Sequence, residues 1–155
     1  MTMTLARTAA GAPSSPAGLR FAGYAALFGR PDGGGDVLLP GAFRRSLAAR
    51  RAGREALPVL WQHRPGQQIG WIEHAAEDSR GLRVIGRLAQ ADGTRALLVK
   101  DREVTGLSFG YRATSFRPIV LPGGQPGREL AEVALFEVSL VTEPMQPWAR
   151  VHLVI

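Results

Sequence analysis

Three side chains in this sequence stand in settings where chemistry is possible: a histidine that ends an apolar segment, a serine set between glycines, and a carboxylate inside an apolar run. His63 closes Leu57-Pro58-Val59-Leu60-Trp61-Gln62-His63, where a strand would release its side chain into a cleft. An imidazole titrates near 6.5, so it can take a proton from a hydroxyl close to neutral pH. Ser108 lies in Gly106-Leu107-Ser108-Phe109-Gly110-Tyr111, and the glycines allow a backbone or a substrate to come close to it. Glu137 lies in Leu135-Phe136-Glu137-Val138-Ser139-Leu140-Val141. Burying that carboxylate costs several kcal/mol unless a cation or hydrogen-bond donor compensates it, so it needs a partner. An imidazole or an arginine would serve.

Each residue also has a plain reading: a strand-end histidine, a strand serine, an acid held by Arg112 or Arg117. Ser139, two positions from Glu137, is the rival nucleophile, and Glu132 is the rival acid. On an unbroken strand Glu132 would point to the opposite face from Glu137. His74, beside Glu77-Asp78-Ser79-Arg80, and His152, near the end of the chain, read as exposed, and Ser46 and Ser79 read as surface residues.

Composition removes other chemistries. There is no cysteine, hence no disulfide, no thiolate metal site and no cysteine nucleophile. Gly33-Gly34-Gly35 lacks the spacing and the following lysine of a phosphate loop. No metal cluster stands out, and no cofactor is expected. What remains for covalent chemistry is a hydroxyl activated by a neighbouring base.

The 155 residues are 45% hydrophobic and 21% charged, the balance of a soluble domain with a short tail. Apolar runs such as Ala25-Ala26-Leu27-Phe28 are far shorter than the roughly 20 residues of a membrane helix. Residues 1–18, rich in Thr, Ala, Ser, Gly and Pro, read as a flexible cytoplasmic tail before a single domain over 19–155. The net charge of +6 comes from 18 Arg and one Lys against 13 acids. Only Arg44-Arg45 and Arg50-Arg51-x-x-Arg54 are grouped, a weaker footprint than a nucleic-acid stripe leaves.

The elements that must position these residues are mostly strands. Leu19 to Phe28 is strand-forming and stops at the glycine-rich loop. Pro40 to Ala52 carries Phe43 and Leu47 four apart and reads as a short amphipathic helix. Leu57–Gln62 and Ile69–His74 read as strands around a turn at Arg64-Pro65-Gly66, and Gly81–Ala89 alternates as a half-wet strand. Thr94 can cap a helix that ends before Gly106. Gly106–Phe116, Arg128–Thr142 and Arg150–Ile155 complete the strands. The expectation is an α+β, mainly β fold: an antiparallel or mixed β-barrel with two or three peripheral helices.

The ordered blocks Phe21-Ala22-Gly23-Tyr24-Ala25-Ala26-Leu27-Phe28, Gly35-Asp36-Val37-Leu38-Leu39-Pro40-Gly41-Ala42-Phe43, Leu60-Trp61-Gln62-His63, Gly106-Leu107-Ser108-Phe109-Gly110-Tyr111 and Phe136-Glu137-Val138-Ser139-Leu140-Val141-Thr142 resemble the prohead maturation proteases of tailed phages. The resemblance runs from about Phe21 to Arg150. It implies a serine endopeptidase on the herpesvirus assemblin-like fold, with His63 as general base and Ser108 as nucleophile. The acidic position most resembles Glu137, with Glu132 second. It further implies action on the major capsid protein, its scaffolding segment and the protease itself. The setting would be the assembling prohead in the host cytoplasm, as a homo-oligomer, with neither membrane nor specific nucleic acid as partner, in a phage or a gene-transfer particle. The alternative is a non-catalytic capsid-assembly scaffold or binding module on the same barrel.

Overall fold

The computed structural model describes residues 18–91 and 93–155; the expected N-terminal tail lies outside these apart from Gly18. The elements run β1 Leu19–Leu27, β2 Asp36–Leu38, α1 Arg44–Gly53, β3 Leu57–Trp61, β4 Arg64–Glu77, β5 Gly81–Leu88, α2 Thr94–Lys100, β6 Gly106–Val120, β7 Pro126–Val141 and β8 Val151–Val154. The strands form one sheet in the order β8, β1, β5, β4, β3, β7, with β6 on the far side of β7. The sheet curls until Gly106 at the start of β6 bridges Arg150 just before β8. Hydrogen bonds from Leu107 N–H to the Ala149 carbonyl and from Val151 N–H to the Thr105 carbonyl join the two edges. This is the expected mixed barrel: pairing is antiparallel except where β2 and β3 run parallel to β7.

The barrel interior holds Phe21, Val59, Leu82, Val84, Leu107, Leu135, Val138 and Leu140, all essentially inaccessible to solvent. Regular strands alternate their side chains between core and exterior, and β7, which supplies Leu135, Val138 and Leu140, departs from that alternation. The long ladder of β6 with β7 is the spine of the fold. On its other edge β7 is paired in two pieces, with β2 at Arg128–Leu130 and with β3 at Val138–Leu140. The interval between those pieces faces helix α1, which contacts β7 and β4.

Helix α1 begins later than its apolar spacing predicts. Pro40 to Phe43 is a turn, and the N–H groups of Gly41 and Phe43 donate to the Glu77 carboxylate at 3.1 Å. A carboxylate at a helix N-terminus meets unpaired donors and the positive end of the dipole. The helix ends at Arg54, in the left-handed region. Helix α2 also starts differently: Gly93 in extended backbone takes the cap position, and Thr94 is the first helical residue. No helix among the described residues is long and apolar enough to cross a membrane.

Candidate active site

His63 stands at a tight reversal. Trp61 pairs with Arg64, so β3 and β4 are joined by only two residues, Gln62 and His63, with φ of 53° and 59°. Two-residue hairpin loops with both φ values positive match the twist of their strands. Neither residue is glycine, however, and left-handed backbone costs a non-glycine residue of order 1–3 kcal/mol. The turn therefore sits two residues before the expected Arg64-Pro65-Gly66, which begins β4 instead. The end of β7 holds it there. Gln62 N–H donates to the Leu140 carbonyl at 3.0 Å, Thr142 N–H to Gln62 Oε1 at 3.2 Å, and His63 N–H to Ser139 Oγ at 3.2 Å.

The site lies on the outer face of the barrel. On β6, Leu107 and Phe109 belong to the core, so Ser108 between them and Gly110 beyond point outward. Ser108 pairs with Ser139 and Gly110 with Glu137, and directly opposed residues share a face. The turn at His63 closes over the same patch from the β3 side.

His63 Nδ1 and Glu137 Oε1 lie 2.6 Å apart, a charge-assisted length. The second carboxylate oxygen accepts from Ser139 Oγ at 2.6 Å. Glu137, 11% exposed at its side chain, thus has both oxygens engaged, as a buried carboxylate requires. The Glu137 hydrogen bond raises the His63 pKa above 6.5, and partial burial of the ring opposes that shift without cancelling it. With Nδ1 taken by Glu137, His63 keeps Nε2 for proton traffic, and 42% of its side chain remains exposed.

The structure thus brings His63 and Glu137 into contact and sets Ser108 on the adjoining strand. No hydrogen bond joins Ser108 to His63, or to any other side chain among the described residues. Ser108 is only 5% exposed, yet every described side-chain oxygen or nitrogen shut off from solvent has a partner. Its unpartnered hydroxyl is therefore the part of the residue that meets solvent.

The rivals are placed elsewhere. Ser139 is fully buried and spends its hydroxyl on Glu137. Glu132 accepts from Thr114 Oγ1 at 3.0 Å and lies 3.8 Å from Arg45, away from His63. Arg117 pairs with Glu129 at 2.6 Å, so it serves neither acid. His74 and His152 are exposed, as expected.

Gly110 has a role that its place in the sequence leaves open. A Cβ there would lie 2.5 Å from Glu137 Oε1 and 2.9 Å from Glu137 Cγ. The bare backbone makes room for the carboxylate rather than for a substrate. Gly110→Ala pushes aside a flexible side-chain end, so the barrel should survive while Glu137 leaves His63. The expected result is an unchanged far-UV spectrum, a lower His63 titration midpoint by NMR, and cleavage reduced about a hundredfold, the scale of an ångström-sized misplacement.

The rolled mixed sheet with few helices has counterparts among solved structures. The fold is that of the herpesvirus proteases. The varicella-zoster virus protease superposes with a TM-score of 0.55 at 18% identity, over 86% of this chain and 62% of that one. The KSHV protease, solved in complex with a hexapeptide phosphonate inhibitor, gives 0.50 at 15% identity, over 89% and 65%. The sequence places the chain more closely: the signature of the caudovirus prohead serine proteases matches residues 8–155, and the chain belongs to that family. The prohead protease of Enterobacteria phage HK97 is 30% identical over 135 residues, which span 84% of this chain and 58% of that protein. The capsid polyprotein of Pseudomonas phage PAJU2 is 31% identical over 104 residues, 61% of this chain and 15% of the polyprotein. The chain thus spans little more than half of the HK97 relative and a small part of the polyprotein.

Proposed function

We propose that this chain is a serine endopeptidase that cuts capsid and scaffold polypeptides, and itself, during prohead maturation. Ser108 Oγ attacks the peptide carbonyl and forms the acyl C–O bond. His63 Nε2 takes the hydroxyl proton and returns it to the leaving nitrogen as the C–N bond breaks. Water then hydrolyses the acyl-enzyme, with His63 again as base. Glu137 holds the ring with Nε2 turned outward and stabilises the imidazolium.

The observation that carries this reading is the 2.6 Å contact between His63 Nδ1 and Glu137, on the face where β6 presents Ser108. Catalytic hydrogen bonds are often long before substrate binds and tighten in the complex, and an extended peptide over the outer face would exclude water from that gap. Family membership supports a capsid-related substrate, and the reading extends it to capsid protein with its scaffolding segment, met inside the assembling prohead in the host cytoplasm. The domain over 19–155 is the proposed protease unit.

Co-expression with the capsid protein of the same particle tests the proposal through the mass of the capsid subunit. Wild-type chain should yield a shortened subunit, and His63→Ala should leave it at full length. A full-length subunit beside folded wild-type chain would instead favour a non-catalytic scaffold on the same barrel.

A further inference from the structure

Glu137 reaches the outer face only because β7 is irregular. Leu135 and Val138 are both core residues, although they lie three apart and a regular strand would put them on opposite faces. The ladder explains this: Gly110 pairs with Glu137 but Tyr111 pairs with Leu135, leaving Phe136 as an extra residue. Phe136 is exposed. Such a bulge resets which side chains face outward. Without it, Leu135 in the core would carry Glu137 into the core as well.

A bulge also disrupts backbone pairing, and here it falls where β7 lacks a strand on its other edge, between β2 and β3. Helix α1 and the turn before it supply the missing partners. The Val133 N–H donates to the Ala42 carbonyl at 3.0 Å, and the Leu135 N–H to Ser46 Oγ at 2.9 Å. The Arg50 guanidinium donates to the Leu135 carbonyl at 3.0 Å through Nη2 and at 3.3 Å through Nε. It also donates to the Phe136 carbonyl at 3.4 Å and, through Nη1, to the Ala56 carbonyl at 3.2 Å. Two consecutive carbonyls of the bulge thus converge on one planar cation, which can serve them together because its donors are fixed in a fork.

We infer that Ser46 and Arg50, one helical turn apart on α1, are positioning residues of this site. They stand in for the absent strand at the bulge of β7 and so hold Glu137 on the face it shares with His63 and Ser108. The inference deepens the protease reading and rests on it for its consequence in catalysis, while its structural part can be read without any cleavage. Arg50 is thereby assigned an inward task, although the arginine cluster around it looks like a basic surface. Its neighbour Arg51 is exposed and serves as the control.

The test is the titration of the His63 ring by NMR in a Ser108→Ala background, paired with the pH profile of capsid cleavage in chains that keep Ser108. Arg50→Ala should lower the His63 midpoint toward that of Glu137→Gln, move the acid limb of cleavage the same way, and slow cleavage about tenfold or more, as loosened positioning does. Arg50→Lys keeps the charge but not the fork and should fall between. Arg51→Ala should match wild type. If Arg50→Ala does not fold, Ser46→Ala and Arg50→Lys carry the same comparison. A lowered thermal midpoint with the His63 titration and the acid limb unchanged would overturn the inference. Should wild type prove unable to cut, the protease reading fails, yet a displaced His63 midpoint in the Arg50 variants would still sustain the positioning role.

Discussion

Replacing Ser108 by alanine should leave the capsid subunit uncut while the barrel stays folded. Ser108 pairs with Ser139 near the start of β6 in its ladder with β7, and its hydroxyl makes no hydrogen bond to another described side chain. Removing one oxygen therefore removes no structural contact, and the thermal midpoint should move little. The chemical loss is large by contrast, because no acyl-enzyme can form. Loss of the nucleophile in a serine-histidine-carboxylate set costs on the order of 10⁶ in turnover where it has been measured in another protease. Cleavage followed by intact mass should fall below detection. Processing at the wild-type rate would transfer the nucleophile to another residue.

The second large effect is expected from Glu137→Gln. Size and shape are kept, so Ser139 and the His63 ring retain a neighbour, but the negative charge is gone. Its hydrogen bond is the main reason that the His63 pKa lies above 6.5. The sign is fixed by the base role: neutral imidazole accepts the serine proton, so the wild-type rate should fall as pH drops through that raised value, on a limb above 6.5. In the glutamine variant burial acts alone, and the limb should move to 6.5 or below. The rate on the plateau should nevertheless drop, by about 10⁴-fold if the loss of ring orientation and imidazolium stabilisation matches that of other serine proteases. A pH–rate profile from pH 5 to 9 reads both effects. The same pair favours the folded state in acid: its contribution is complete below 6.5 and is lost as pH rises through the raised folded value. A variant with the limb unmoved would detach Glu137 from the base.

Much of this arrangement was legible in the residues. The odd carboxylate at Glu137 demanded a partner and has two, His63 and Ser139. Alternation in Gly81–Leu88 and in Gly106–Tyr111 reads directly as strand, although the expected wet face of Gly81–Leu88 is largely covered, with Arg87 only 8% exposed. The turn at Gln62-His63 was not legible, since no glycine or asparagine marks it; its left-handed backbone is held by hydrogen bonds from β7, more than 70 residues further on. The start of α1 differs from its apolar spacing for a similar reason, because the turn at Gly41 to Phe43 is held by Glu77 on a distant strand. Ser46 and Arg50 read as surface residues because the gap they fill arises only when β2 and β3 share one edge of β7. One signal for the bulge was present: Leu135, Val138 and Leu140 break the alternation of period two. Glu132 looked like a rival acid for the same reason, since placing either carboxylate requires knowing where the strand slips.

The claim beneath all of this is that His63, oriented by Glu137, activates Ser108. Labelling with a peptide diphenyl phosphonate that matches the capsid cleavage site, followed by peptide mapping, reads that claim at the reacting atom. A single adduct on Ser108, absent from His63→Ala and strongly slowed in Glu137→Gln, is the predicted result. An adduct on Ser139, or Ser108 labelling as fast in His63→Ala as in wild type, would contradict it.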